Sequence, residues 1–440
     1  MYFPFGRSPE YKISRRVVFD SSIIRVVIGF VTMLPIAAPA VAQHRIPLTM
    51  AEAGDRALLA EPGQEALKSR AHALKERGIV AGELPDPVLR VGLNNYPIQS
   101  GGFTTEGMTH GAVGVSQTFP AGKTRSINTR RFDLLASEMN ENAEARGRNV
   151  LAAARGAWLD LYYWELAHSL AMESRPFFDD LVSVTRSLYA VGQESQQDVL
   201  RAQLELSRLD DRLIEMERQR SRAQAALGEW IGQDAKRPVA RKLPSWDEVP
   251  TLASMQAMLR QHPLLRAADA QIEARGARVD LANERAKPEW AMDVGYSYRD
   301  GSLSSGEPRS DFISLGVTVG LPFFRKKSVD GQLSAALHER SAARSNREQT
   351  VRGLESQLSA EHSRWQDLTR RLSIYDTRIL GQAKDHAEAS LLAYQSDRGD
   401  FADVMRGYID DLNTRIDHVQ LQVERMQSYA VLANLGGLPR

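Results

Sequence analysis

Two apolar periods alternate along the chain, one helical and one of strict alternation. The helical period fills most of it. Near the end, Ile409, Leu412, Ile416, Val419, Val423, Met426, Ala430 and Ala433 follow one another in steps of three and four. After Gly192, the positions Val199, Ala202, Leu206, Leu209, Leu213, Met216, Ala223, Leu227 and Trp230 keep the same register, with Arg220 the one polar member. A third seam runs through Val351, Leu354, Leu358, Trp365, Leu368, Leu372, Tyr375 and Ile379, interrupted by Glu361. Such spacing predicts long helices packed along narrow seams, as in coiled coils. Residues 125–189 predict a single helix of roughly 100 Å, at about 1.5 Å per residue. The returning helix, 195–231, is much shorter. A helix over 62–84, stacked end to end with it, would supply the missing length.

The strict alternation is confined to short segments. Trp290, Met292, Val294, Tyr296 and Tyr298 share one face of a strand, and Ala291, Asp293, Gly295, Ser297 and Arg299 share the other. Next, Ile313, Leu315, Val317, Val319 and Leu321 oppose Ser314, Gly316, Thr318 and Gly320. Runs of about ten residues suit a tilted membrane strand, and equally a half-buried soluble sheet. Hairpins are expected at 88–119 and 290–321. Four strands cannot close a barrel, and an open edge cannot sit in lipid. A membrane reading therefore requires several copies; two would give eight strands and three twelve.

The two periods occur in the same order twice. Glu61-Pro62 and His262-Pro263 each open a helix that ends near prolines, at Leu84-Pro85-Asp86-Pro87 and at Lys287-Pro288-Glu289. Gly114 to Pro120 corresponds to Gly316 to Pro322, Trp158 to Trp365, and Tyr189 with Asp198-Val199-Leu200 to Tyr394 with Asp403-Val404-Met405. Ala226-Leu227-Gly228 and Asn434-Leu435-Gly436 close the two halves. The chain thus divides into a first repeat, 43–240, with its long helices ending at 231, and a second, 241–440, with its long helices ending at 437. Each reads helix, strand, strand, long helix, helix. The expected fold class is mainly α with a small β part, which is membrane β if several copies close it and a soluble sheet otherwise.

Residues 1–42 read as an export signal. Arg15, Arg16 and Arg25 precede the apolar run Val26–Ala38, and Ala40-Val41-Ala42 gives a small-x-small cleavage pattern before Gln43. With five Lys/Arg and two Asp/Glu, this segment carries +3 of the chain's +1, leaving about −2 elsewhere. That balance argues against a nucleic-acid binder. There is no cysteine, so neither disulfides nor lipidation on an N-terminal cysteine is available. No central stretch reaches the roughly 18 apolar residues of a membrane helix.

The nine histidines are scattered, with none close to another. No metal-binding spacing, Walker loop or nucleophile elbow is present, so neither catalysis nor a cofactor is expected.

These repeats resemble the TolC-like outer-membrane efflux factors over residues 48 to 437. The resemblance rests on His262-Pro263-Leu264-Leu265-Arg266-Ala267-Ala268, Ala286-Lys287-Pro288, the strand ends Phe119-Pro120 and Leu321-Pro322, and Tyr189-Ala190-Val191-Gly192 with Ser195 and Asp198. It implies a homotrimer with a twelve-stranded barrel in outer-membrane lipid and a helical tunnel in the periplasm. It further implies two hairpin tips that close the pore and dock a periplasmic adaptor (membrane fusion protein) of an inner-membrane pump. By position these tips comprise Tyr189, Gly192, Ser195 and Asp198, and then Tyr394, Asp397, Gly399, Asp400 and Phe401. Asp397 stands where the family usually has glycine, which implies a differently shaped second tip. Asp403 matches an inward acidic position of the constriction, whereas the next such position is Arg406, which weakens a cation-favouring ring. The tip run Arg398-Gly399-Asp400-Phe401-Ala402-Asp403-Val404 resembles the CzcC-like branch, which serves heavy-metal pumps of the RND class. The other readings are a drug-efflux or type I secretion channel, and a soluble periplasmic coiled-coil adaptor.

Overall fold

A computed structural model describes residues 46–246, 248–396 and 398–438. The export-signal segment 1–42 and Asp397 lie outside the described residues.

The first repeat holds helices α1 (Met50–Leu59) and α2 (Pro62–Gly82), strands β1 (Val88–Asn94) and β2 (His110–Phe119), and helices α3 (Thr124–Ala190) and α4 (Gln196–Ile231). The second holds α5 (Leu252–Leu259), α6 (Pro263–Glu284), β3 (Glu289–Tyr298), β4 (Phe312–Gly320), α7 (Lys326–Ile374), α8 (Leu380–Gln395) and α9 (Phe401–Gly436). The short helices α1 and α5 were not expected. For α1 the signal is legible: Thr49 Oγ1 accepts the Glu52 N–H at 3.1 Å, a cap at the spacing Thr-x-x-Glu. Pro62 and Pro263 both occupy the first turn, where a missing N–H costs nothing.

Each repeat returns to its own start. Leu48 bridges Val239, with the Leu48 N–H donating to Pro238 O at 2.8 Å. Met255 and Leu259 pack in one apolar cluster with Leu435 and Leu438. Trp158 is fully buried beneath the first closure and donates its Nε1–H to Leu48 O at 3.0 Å.

The helices form a wall of four columns. At the strand end, α2 packs on α3, α3 on α6, and α6 on α7. At the far end, α4 lies on α3, α3 on α9, and α9 on α7 and α8. The short α4 and α2 thus share the column beside the 67-residue α3, with α1 packed on α3 as well. The predicted seams carry this packing. Leu209, Leu213, Met216, Leu412 and Ile416 are buried together with Leu181 and Phe178. Arg220 stays half-buried and pairs with Glu217 at 3.5 Å. Glu361, the interruption on α7, accepts from the buried Ser428 hydroxyl at 2.8 Å.

The predicted second long helix departs from the expectation in one turn. Between α7 and α8 the backbone widens into a π-turn over Tyr375–Ile379. The run Tyr-Asp-Thr-Arg-Ile contains neither proline nor glycine, so nothing local announces it. The turn faces α9, where His418 Nε2 meets Asp376 Oδ1 at 2.7 Å and its ring stacks over Tyr375.

The strands form one antiparallel meander, ordered β1-β2-β3-β4. The strand β1 has seven residues and ends where Asn95 turns at φ +53°.

Candidate functional site

The register decides which residues share a face. Tyr296 lies opposite Val113 and Ile313, Val294 opposite Val115 and Leu315, and Trp290 opposite Phe119 and Val319. Val91 and Leu89 continue the same face on β1, opposite Val113 and Val115. One sheet face is therefore apolar across all four strands. It is also bare: Ile313 is 77% and Leu315 73% exposed. On β3 the apolar positions are exposed while Ala291, Asp293, Gly295 and Ser297 opposite them are half-buried. A soluble sheet has the reverse arrangement, because water drives the apolar face inward.

Polar contacts collect on the other face. The Thr318 hydroxyl donates to Asp293 Oδ2 at 3.2 Å, and Arg90 stands 3.7 Å from Asp293 Oδ1. Aromatic rings flank the apolar band, with Phe119 stacked on Trp290 at 4.1 Å at one end and Tyr296 and Tyr298 at the other. In this sheet β1 and β4 are the outer strands, each paired on one side.

At the helix side of the sheet, the turn into α3 is locked by the other repeat. The Lys123 N–H donates to Glu284 Oε2 at 2.7 Å, and Lys287 Nζ reaches Glu284 Oε1 at 2.6 Å. These bonds, Lys287 first, hold the Glu284 carboxyl below the usual range. Gly122 makes the approach possible, having φ +52° and space for no side chain: a Cβ there would sit 1.8 Å from Glu284 Oε2. Sequence reasoning missed this lock, although a glycine in Pro120-Ala121-Gly122-Lys123 marked the turn.

The described residues assigned to the two tips lie at the opposite end of the wall. In the first tip, α3 stops at Ala190 and the chain reverses at Gly192, with φ +74°. The Gln193 N–H donates to Leu188 O at 3.0 Å, which satisfies a helix-end carbonyl. Ser195 restarts the helix, its hydroxyl accepting from the Asp198 N–H at 3.2 Å. Tyr189 remains exposed.

The second tip is built differently. Asp400 precedes α9 with extended backbone but makes no side-chain cap. Phe401 is buried and meets Tyr394 edge-on, with ring centroids 5.7 Å apart. Gly399 folds back so closely that a Cβ would lie 3.0 Å from Ala393 Cβ. Burial, and then Glu194 of the first tip, push the Tyr394 hydroxyl pKa up.

Asp403 and Arg406, the proposed constriction residues, form an ion pair one turn apart, with Arg406 Nη1 2.9 Å from Asp403 Oδ1. Both are exposed, so the pair is worth little to stability. The pair offsets the Asp403 carboxylate charge. Among the described residues no three His, Asp or Glu side chains gather to hold a metal ion, and no helix is long and apolar enough to cross a membrane.

Residues 255–437 match a known family model, Outer membrane efflux protein. The second repeat carries an outer-membrane efflux signature. Its channel proteins are transport ducts and not enzymes. Protein CyaE of Bordetella pertussis is 27% identical over 321 residues, which cover 69% of this chain and 66% of that protein. The match thus spans just under two thirds of the relative's length. Among solved structures, CusC, described as forming a transmembrane channel, superposes with a TM-score of 0.75 at 14% identity, covering 89% of this chain and 93% of its own. The outer-membrane channel OprN gives 0.72 at 17% identity, covering 88% and 90%. The fold is that of these mainly helical outer-membrane channel chains.

Proposed function

We propose that this chain is one protomer of a trimeric outer-membrane channel, a passive duct in a tripartite efflux pump. The observation that carries the reading is the sheet. It has an apolar outer band of membrane height, a polar opposite face, and two edges left for pairing. The helical wall is open along the same two sides, at α2 next to β1 and at α7 next to β4. Joining β4 and α7 of one copy to β1 and α2 of the next closes barrel and tunnel together, and three copies give twelve strands. The soluble adaptor reading would leave the apolar face uncovered in water.

The tips would then meet a periplasmic adaptor through Tyr189, Gly192, Ser195 and Asp198, with Tyr394, Asp397, Gly399, Asp400 and Phe401 alongside. An inner-membrane pump of the RND class would supply the energy. The cargo we infer is heavy-metal cations, on the resemblance of the Arg398–Val404 run. Purified protein in a planar bilayer tests the duct: discrete ohmic conductance is expected, and its absence from outer-membrane-extracted protein would refute the reading. In the same bilayer, Arg406→Ala should leave Asp403 unneutralised and shift the reversal potential toward cation selectivity. Growth of a deletion strain on graded zinc, cobalt, cadmium and copper tests the cargo. Unchanged metal tolerance with new sensitivity to organic compounds would move the duct to a drug or secretion system.

A further inference from the structure

Two turns lead from the sheet into the long helices, and only the first receives a carboxylate; at the second the Arg325 N–H turns back to Pro322 O at 3.3 Å. At the first, Glu284 of α6 accepts from the Lys123 backbone at the start of α3. At the second, α7 begins with no side-chain cap and no acidic residue in its first turn. Instead it opens on Arg325, Lys326 and Lys327, none in an ion pair among the described residues. Cations are disfavoured at a helix N-terminus, where the backbone dipole already presents positive charge. Just before them, Phe323 is exposed and Phe324 fully so, at 101%. This corner has the chemistry of a half-made contact, basic and aromatic at once.

The internal duplication indicates the missing half. The helix α2 is to the first repeat what α6 is to the second. Pro62 and Pro263 fix the common offset at their starts, and Pro87 and Pro288 fix it again before the strands. At that same offset, the counterpart of Glu284 is Glu83. Glu83 follows α2, is exposed, and has no ion pair among the described residues. Asp86 is exposed three residues on, and Ile79, Val80 and Leu84 present apolar surface beside them. Acidic and apolar groups on one open side of the wall thus complement basic and aromatic groups on the other. Within one chain α2 and α7 occupy opposite outer columns.

We propose that the start of α7 is a docking site for the α2–β1 connection of a second copy of this chain. Glu83 of the partner subunit meets the Arg325–Lys327 run there, as Glu284 meets Lys123 within the chain, and Phe323 and Phe324 cover the apolar end of the second copy's α2. This rests on the oligomeric channel reading and adds the residues that join its copies where barrel meets tunnel.

The absence of cysteine makes a direct test available. Full-length protein carrying Glu83→Cys with Lys326→Cys, oxidised in its native membrane, should give covalent dimers and trimers on a non-reducing gel. Each single variant should give no trimer. Lys123→Cys with Glu284→Cys serves as the intramolecular control and should cross-link without change of mass. A charge swap checks the same contact without cysteine. Glu83→Lys should lower the temperature at which the detergent-solubilised oligomer dissociates, and Lys326→Glu with Lys327→Glu should restore most of that loss. Light scattering on the wild type separates the failures. A trimer without cross-link or rescue overturns this contact and leaves the channel reading standing; a monomer overturns both. Loss of anchoring to anionic lipid in the lysine variants, with no cross-link, would assign the corner to the membrane surface instead.

Discussion

The two hairpin tips perform the same reversal by different means. The first is held by local hydrogen bonds: Gly192 adopts the left-handed turn and Ser195 caps the next helix. The second repeats the helix-end bond, with the Arg398 N–H donating to Ala393 O at 2.9 Å, but Asp400 makes no cap, and burial adds the rest, with Phe401 and Val404 set into a cluster that includes Leu181 and Phe178 of α3. A tip held by its own backbone keeps its shape when its surroundings move. A tip held by a shared core does not. The long helices differ in the same sense. The helix α3 runs unbroken through Pro176, whereas the second is divided by the π-turn, a feature often associated with functional mobility. The second hairpin is therefore the half whose geometry depends on its neighbours.

Substitutions can break this contrast or sharpen it. The largest effect is expected at Phe401→Ala, which should cost about 3–5 kcal/mol, as large-to-small changes at buried aromatics do. Hydrogen exchange should accelerate around 398–405 and spread to 178–182; confinement of the loss to α9 would remove the shared-core argument. Next, Gly122→Ala forces a side chain into a left-handed position and displaces Glu284, for about 2–3 kcal/mol in thermal unfolding. Its second-repeat neighbour in the comparison, Phe324→Ala, should change single-chain stability by less than about 0.5 kcal/mol, being fully exposed.

The repeats also differ in how they cap α2 and α6. Glu61 accepts the Gly63 N–H at 2.8 Å, while the buried His262 Nδ1 accepts the Leu264 N–H at 3.3 Å. Burial first, and then Arg148, lower the His262 pKa to about 4. The unfolded chain binds that proton near 6.5, so the stabilisation is complete above that value and is lost as the pH falls toward 4. The wild type should lose on the order of 1–3 kcal/mol more than His262→Asn across this window, read as the difference in melting temperature against pH. At Ser195→Ala a loss of about 1 kcal/mol is expected from the missing cap, with exchange raised only in the first turn of α4.

Much of this architecture was legible because it rests on periodicity. The seams, the duplication and the strand faces follow from side chains that must be hidden or shown every three to four, or every two, residues. The direction of the sheet was not legible, since the same alternation of Trp290 to Tyr298 serves water on either face. Only the bare Ile313 and Leu315 beside a helical wall decide it. The tip residues were proposed from the resemblance, but the packing of Phe401 depends on α3, more than two hundred positions away. The π-turn at 375–379 likewise has no signal in its own residues; across from it stands His418 of α9, which meets Asp376 and Tyr375. The Glu284 lock escaped notice for the same reason, as its partners lie in different repeats.

The unpaired outer strands carry a kinetic consequence. One chain can fold its helices in water at a rate set by itself alone. In the proposed trimer it cannot finish its sheet at any rate, because the partner strand would belong to another molecule. Completion of the proposed barrel would thus be governed by encounter and should slow as expression falls, even though every chain is already folded along most of its length. Until that meeting, the bare face formed by all four strands is the surface an escorting protein would have to cover and then surrender to lipid.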